Sequence, residues 1–270
     1  MAYIEVNGAR LFHEVTGDGE PLVVVHGSWS DHASWMGVVP GLARSFRVVT
    51  YDRRGHSASE APPGRGSRRQ DEDDLAGLIE GLGLAPVHVA ANSFGASTAL
   101  GLSTRRPELF RSLAVHEPPL MSIVADDTEL RPTMGTLQER IDRVLGELRG
   151  GDLNGGARRF VEEVAFGPGT WDQLPDPLRQ TFIRNAPTFL DEQSDPEWAA
   201  IDLESFGRLD RPVLLTRGDM SPPWFPRIIE SLAAALPSAR THVFAGAGHA
   251  PHVTHPAEYV SVLTDFLATG

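Results

Sequence analysis

Residues 89–96 read Val89-Ala90-Ala91-Asn92-Ser93-Phe94-Gly95-Ala96, and this stretch decides the fold. Ser93 has a small residue two positions away on each side, Ala91 and Gly95. An apolar, strand-like run, Pro86-Val87-His88-Val89-Ala90, comes before it, and a small-residue helical run from Ala96 to Leu102 follows. A serine on so tight a strand-to-helix turn is held in a strained backbone with its oxygen exposed. Small neighbours at minus two and plus two let strand and helix come close enough together. The pattern is short, so its meaning depends on its setting.

Around this turn, strand and helix signals alternate. The pattern predicts an α/β fold: a mostly parallel, twisted sheet with helices on both faces. Residues 2–6 and 10–15 read as a hairpin turning at Asn7-Gly8. Apolar runs at 21–25, 46–51, 112–116, 212–216 and 241–244 read as buried strands. Helices are expected at 35–44, 71–82, 227–236 and near the C-terminus, with a polar loop over 60–70. The acids Asp71-Glu72-Asp73-Asp74 suit the positive end of a helix dipole. Over 118–208 the strand signals stop. Helical spacing at 138–148 and 157–166, and a cap and first-turn proline at Asp195-Pro196 before 197–203, mark a helical lid. The expected organisation is a core of 1–117 and 209–270 with a lid of 118–208 inserted between.

The 270 residues, 41% hydrophobic, suffice for one large core plus an inserted subdomain. A net charge of −12 argues against nucleic-acid or anionic-membrane partners. With no cysteine, disulfides, thiol catalysis and thiolate-held metals are excluded. No basic start leads into an apolar stretch, and no apolar run is long enough to span a bilayer, so a cytoplasmic location is expected. The oligomeric state is not encoded in any legible feature.

A serine hydroxyl needs a base, an acid to orient that base, and donors for the oxyanion. His249 is the candidate base, in the glycine-rich loop Ala245-Gly246-Ala247-Gly248-His249 after the last strand. His26-Gly27-Ser28-Trp29 follows the first buried strand, so Gly27 and Ser28, with the N–H of Phe94, are the candidate oxyanion hole. Two carboxylates at strand ends are candidates for the acid, Glu117 and Asp219. No histidine pair has metal-ligand spacing beside a carboxylate, so no metal is expected, and the chemistry calls for no cofactor.

His26-Gly27-Ser28-Trp29, Tyr51-Asp52-Arg53-Arg54-Gly55-His56-Ser57, Asn92-Ser93-Phe94-Gly95, Arg217-Gly218-Asp219 and Gly248-His249-Ala250-Pro251 follow one another in an order that resembles the α/β-hydrolase superfamily. The resemblance covers nearly the whole chain, the lid least. It implies the α/β-hydrolase fold and a Ser93–His249 pair completed by a carboxylate. In many members that acid is the third residue after a glycine ending the penultimate strand, and here that position is Ser221. Val115-His116-Glu117-Pro118-Pro119 resembles the zearalenone lactonase branch, in which a glutamate after the preceding strand serves. Glu117 lies twenty-four residues beyond Ser93, as in that branch. The resemblance therefore assigns Glu117 as the acid, with Asp219 as the alternative.

The reading is a serine hydrolase acting on a carboxylic ester or lactone of a mainly apolar small molecule. Candidate pocket residues are Trp29, Leu120, Met121, Trp171, Trp198 and His252. Acyl transfer, thioester release or cyclisation would use the same residues. A ligand-binding protein on a hydrolase scaffold is the non-enzymatic alternative. Epoxide hydrolysis is disfavoured by a serine, not an aspartate, at the turn.

Overall fold

The computed structural model describes residues 1–62, 64 and 66–269. Eight strands form one sheet: β1 (Ala2–Val6), β2 (Ala9–Thr16), β3 (Glu20–Val25), β4 (Phe46–Tyr51), β5 (Val87–Asn92), β6 (Phe110–His116), β7 (Val213–Gly218) and β8 (Arg240–Phe244). Their order across the sheet is β1-β2-β4-β3-β5-β6-β7-β8. The β1–β2 and β2–β4 pairs are antiparallel and every later pair is parallel. Asn7 and Gly8 both have positive φ, 48° and 76°, as a two-residue hairpin turn between twisted strands requires.

The parallel strands read as unbroken apolar runs because both sheet faces are covered. Successive residues serve opposite faces. Val23, Val89, Leu113 and Leu215 belong to one buried cluster, with the helices Arg68–Gly81, Phe94–Arg105 and Trp224–Ala235. Leu22, Ala90, Ala114 and Leu214 belong to the other, under the helix Pro256–Leu267. Between β6 and β7 the described residues form helices and turns with no strand. The helices Arg131–Arg149, Leu153–Arg159 and Asp176–Ser194 build a third cluster from Val144, Leu145, Phe182, Ala186 and Phe189, and Trp29 from the core is packed into it. No described helix is long and apolar enough to cross a membrane.

Several local expectations need correction. The helix expected over 35–44 is a 3-10 turn, His32–Trp35, and a short helix, Val39–Leu42. Pro40 lacks an N–H, so it fits only the first turn of a restarted helix. The helix expected over 71–82 starts at Arg68, because Ser67 accepts from the Gln70 N–H at 3.2 Å. The polar loop expected over 60–70 therefore ends sooner; its residues 63 and 65 lie outside the described residues. The helix expected over 197–203 is absent. The Ala199 carbonyl accepts from Ser122 Oγ at 2.8 Å and the Ala200 carbonyl from Arg68, so this segment is bonded to distant residues. The helix forms later, at Leu203–Gly207, where Asp202 caps it.

Candidate active site

The strand order reverses direction at β3: the chain steps from β3 to β4 on one side and later enters β5 on the other. Loops leaving the ends of β3 and β5 part there, the position at which open α/β sheets generally place a binding crevice. Both loops carry candidate residues. Ser93 leaves β5 with φ 56° and ψ −127°, a conformation that costs a non-glycine residue about 1–3 kcal/mol. Its N–H donates to the His116 carbonyl at 2.9 Å, and its own carbonyl accepts from Ala96 and Ser97. A side chain at Gly95 would collide with the Val25 and His26 carbonyls. One at Gly27 would come within 2.8 Å of the Ser93 Cβ. Both glycines are therefore dictated by close approach to the serine turn.

Glu117 ends β6 with φ 45° and is fully buried. Its Oε1 accepts from the Gly218 N–H at 2.8 Å, which ties it across to β7. Its Oε2 lies 2.7 Å from His249 Nδ1. Burial pushes the Glu117 carboxyl up, but the His249 hydrogen bond and the neighbouring His116 outweigh it and hold the group below the usual carboxylate range. An ionised carboxylate only accepts, so the proton between them is carried by His249 Nδ1. The His249 ring is stacked on Phe225, with centroids 4.8 Å apart. Its carbonyl accepts from Asn92 Nδ2 at 2.9 Å, so the residue before Ser93 anchors the histidine loop to the serine turn. The Ser93 hydroxyl makes no hydrogen bond among the described residues.

Asp219 stands elsewhere. It is exposed, and its Oδ1 accepts from the Gly246 N–H at 2.7 Å, bracing the turn before His249 without touching the imidazole. Of the two candidate acids, Glu117 is thus the one brought to His249. Two further histidines face this pair. His116 Nε2 is 3.7 Å from Glu117 Oε2, and burial pushes the His116 ring down to about 3. His252 is likewise pushed down to about 3 by burial, then by His116 and His249.

Gly27 lies against Ser93 where the β3 loop crosses the serine turn. No described residue accepts a hydrogen bond from the Ser28 or Phe94 N–H. The remaining candidate residues are mostly packed. Trp29 is fully buried, its ring stacked on Phe160 at 4.5 Å. Trp171 belongs to the same lid cluster. Leu120 is fully buried in the cluster under β6, with Met121 partly buried against it. His252 is stacked on Trp35 at 4.3 Å. Trp198 is partly exposed. Sequence reasoning missed Asn92, Phe225, Arg53 and Glu192. The motif around Arg53 was visible, but nothing distinguished Glu192 among 36 acidic residues.

A family model described as the alpha/beta hydrolase fold matches residues 20–256. The chain belongs to the alpha/beta hydrolase fold family. It is 24% identical over 292 residues to a proline iminopeptidase of Heyndrickxia coagulans, covering 98% of this chain and 97% of that protein. It is 36% identical over 123 residues to an uncharacterised hydrolase of Bacillus subtilis, but spans only 45% of that relative's length. The enol-lactonase of Burkholderia xenovorans superposes with a TM-score of 0.81, covering 99% of this chain and 100% of that one. At 21% identity that likeness speaks for the fold. An iminopeptidase and an enol-lactonase act on different bonds, so membership supports a hydrolase without fixing the bond it cleaves.

Proposed function

We propose that the protein is a serine hydrolase that cleaves a carboxylic ester or lactone of a mainly apolar small molecule through an acyl-enzyme. One observation carries this reading: a buried carboxylate 2.7 Å from an imidazole whose loop is tied to the strained serine turn. His249 Nε2 takes the Ser93 hydroxyl proton as the oxygen attacks the carbonyl carbon. The Ser28 and Phe94 N–H groups hold the tetrahedral oxyanion. The imidazolium, stabilised by Glu117, returns the proton to the leaving oxygen, so an alcohol departs or a ring opens. Water, deprotonated by the same imidazole, then releases the acid and restores Ser93.

A serine at the turn favours acyl chemistry over epoxide opening, for which this position would hold an aspartate. The apolar Phe225 ring stacked on the imidazole favours an uncharged substrate. The likeness of Val115-His116-Glu117-Pro118-Pro119 to the lactonase branch favours bulky lactones within that class. The test is a panel of aryl esters and macrocyclic lactones assayed with the parent protein and with Ser93→Ala. Hydrolysis by the parent that Ser93→Ala loses is the expected result. Equal turnover by both would remove Ser93 from the reaction.

A further inference from the structure

Behind the oxyanion loop lies a buried ion cluster that the proposed reaction does not use directly. Arg53, just after β4, is 1% exposed. Its Nη1 donates to Asp71 Oδ2 at 2.6 Å and its Nη2 to Glu192 Oε1 at 2.7 Å. The same Nη2 reaches the Gly27 carbonyl at 3.3 Å. Glu192 comes from the lid helix Asp176–Ser194, and its Oε2 accepts from Ser28 Oγ at 2.6 Å. His26 completes the arrangement. Its Nε2 accepts the Arg53 N–H at 3.0 Å, so its proton is on Nδ1, which donates to the Gly27 carbonyl at 2.8 Å.

Two donors therefore hold the Gly27 oxygen. In a trans peptide the carbonyl and the following N–H point in opposite directions. Fixing the Gly27 oxygen toward His26 and Arg53 turns the Ser28 N–H the other way, and that N–H has no acceptor among the described residues. Glu192 grips the same peptide twice, directly at the Ser28 hydroxyl and, through Arg53, at the carbonyl behind it. A buried carboxylate is costly to keep, yet its two oxygens accept from the hydroxyl and the guanidinium at once.

We propose that Glu192 is a positioning residue that aims the Ser28 N–H at the reacting oxygen, so that the lid helix and the oxyanion loop hold their catalytic geometry as one unit. The inference rests on the serine-hydrolase reading. It predicts a loss confined to the transition state, because a misaimed donor binds ground-state substrate as before.

The experiment compares the parent with Ser28→Ala, which keeps the N–H and loses only the anchor, and with Glu192→Gln. Active sites are counted with a fluorophosphonate, so that misfolded protein does not enter the rates. Per-site kcat, KM and affinity for an alkyl boronic acid, a tetrahedral mimic, are then measured. Removing an oxyanion donor costs about 10²–10³ in kcat, so misaiming one is expected to cost about tenfold in Ser28→Ala and more in Glu192→Gln. Boronate affinity should fall by a similar factor, with KM within about twofold of the parent. Both variants matching the parent in per-site kcat and boronate affinity would overturn the inference alone. A parent that the fluorophosphonate does not label would overturn the serine-hydrolase reading, and the inference with it.

Discussion

Glu117 and Glu192 are both buried glutamates near the serine turn, each with both oxygens engaged. Their partners differ. Glu117 faces an imidazole, whose second ring nitrogen can pass a proton on, and the His249 side chain is 34% exposed. Glu192 faces a guanidinium that never deprotonates and a hydroxyl that does not move. The balance of charge differs too. Glu117 is held below its ordinary range, whereas burial pushes Glu192 up against the pull of Arg53, which it shares with Asp71. Residue type and burial are alike, so the partner decides the role. A partner with a mobile proton makes a carboxylate part of chemistry, and a permanent cation makes it part of the frame.

That contrast can be broken at either end. The largest effects belong to the reacting pair. Ser93→Ala and His249→Ala should each lose about 10⁴-fold or more in kcat while circular dichroism shows the fold intact. Glu117→Gln keeps the shape but loses the charge that stabilises imidazolium, and kcat should fall about 10³–10⁴-fold. On the framing side the cost is in stability. Arg53→Met leaves Asp71 and Glu192 facing each other without a cation, and denaturant unfolding should show a loss of about 3–5 kcal/mol.

A pH effect follows at Asp71. Burial pushes its carboxyl up to about 7, with Glu192 and Asp74 adding to the rise against Arg53. The folded state thus holds a proton that the unfolded state releases at the ordinary value near 3.8. This group's contribution to stability is complete below that value and is lost as pH rises through about 7. Asp71→Asn should gain stability relative to the parent between pH 4 and 8, as paired unfolding curves would show. The smallest effect is expected from Asp219→Asn. It weakens one turn hydrogen bond to Gly246, and kcat should stay within about threefold of the parent. A larger fall than in Glu117→Gln would transfer the acid's role.

The sheet and the serine turn were legible because their signals are local. Strands such as Leu22–Val25 are unbroken apolar runs, and the small residues around Ser93 are set by close backbone approach. The hairpin at Asn7-Gly8 was legible for the same reason. The segment between β6 and β7 was read less well because its structure depends on distant partners. The helix Asp176–Ser194 contains Pro187 and escapes a propensity reading, yet it packs Phe182 and Phe189 against Trp29. The expected helix at 197–203 is absent, and its segment is instead bonded to Ser122 and Arg68 from outside. Trp29 follows the oxyanion loop in sequence, which suggested a pocket wall; its ring turns into the lid core. Glu192 gained meaning only when the fold brought it to Ser28, 164 residues away.

The central claim is that Ser93 carries the acyl group between two half-reactions. The direct measurement is the mass of protein quenched in acid during the first turnovers of an aryl ester, followed by mapping of the modified peptide. The account predicts an added acyl mass on the peptide containing Ser93 in the parent and none in Ser93→Ala. Turnover by the parent with the acyl group on another residue, or undiminished turnover by Ser93→Ala, would contradict it.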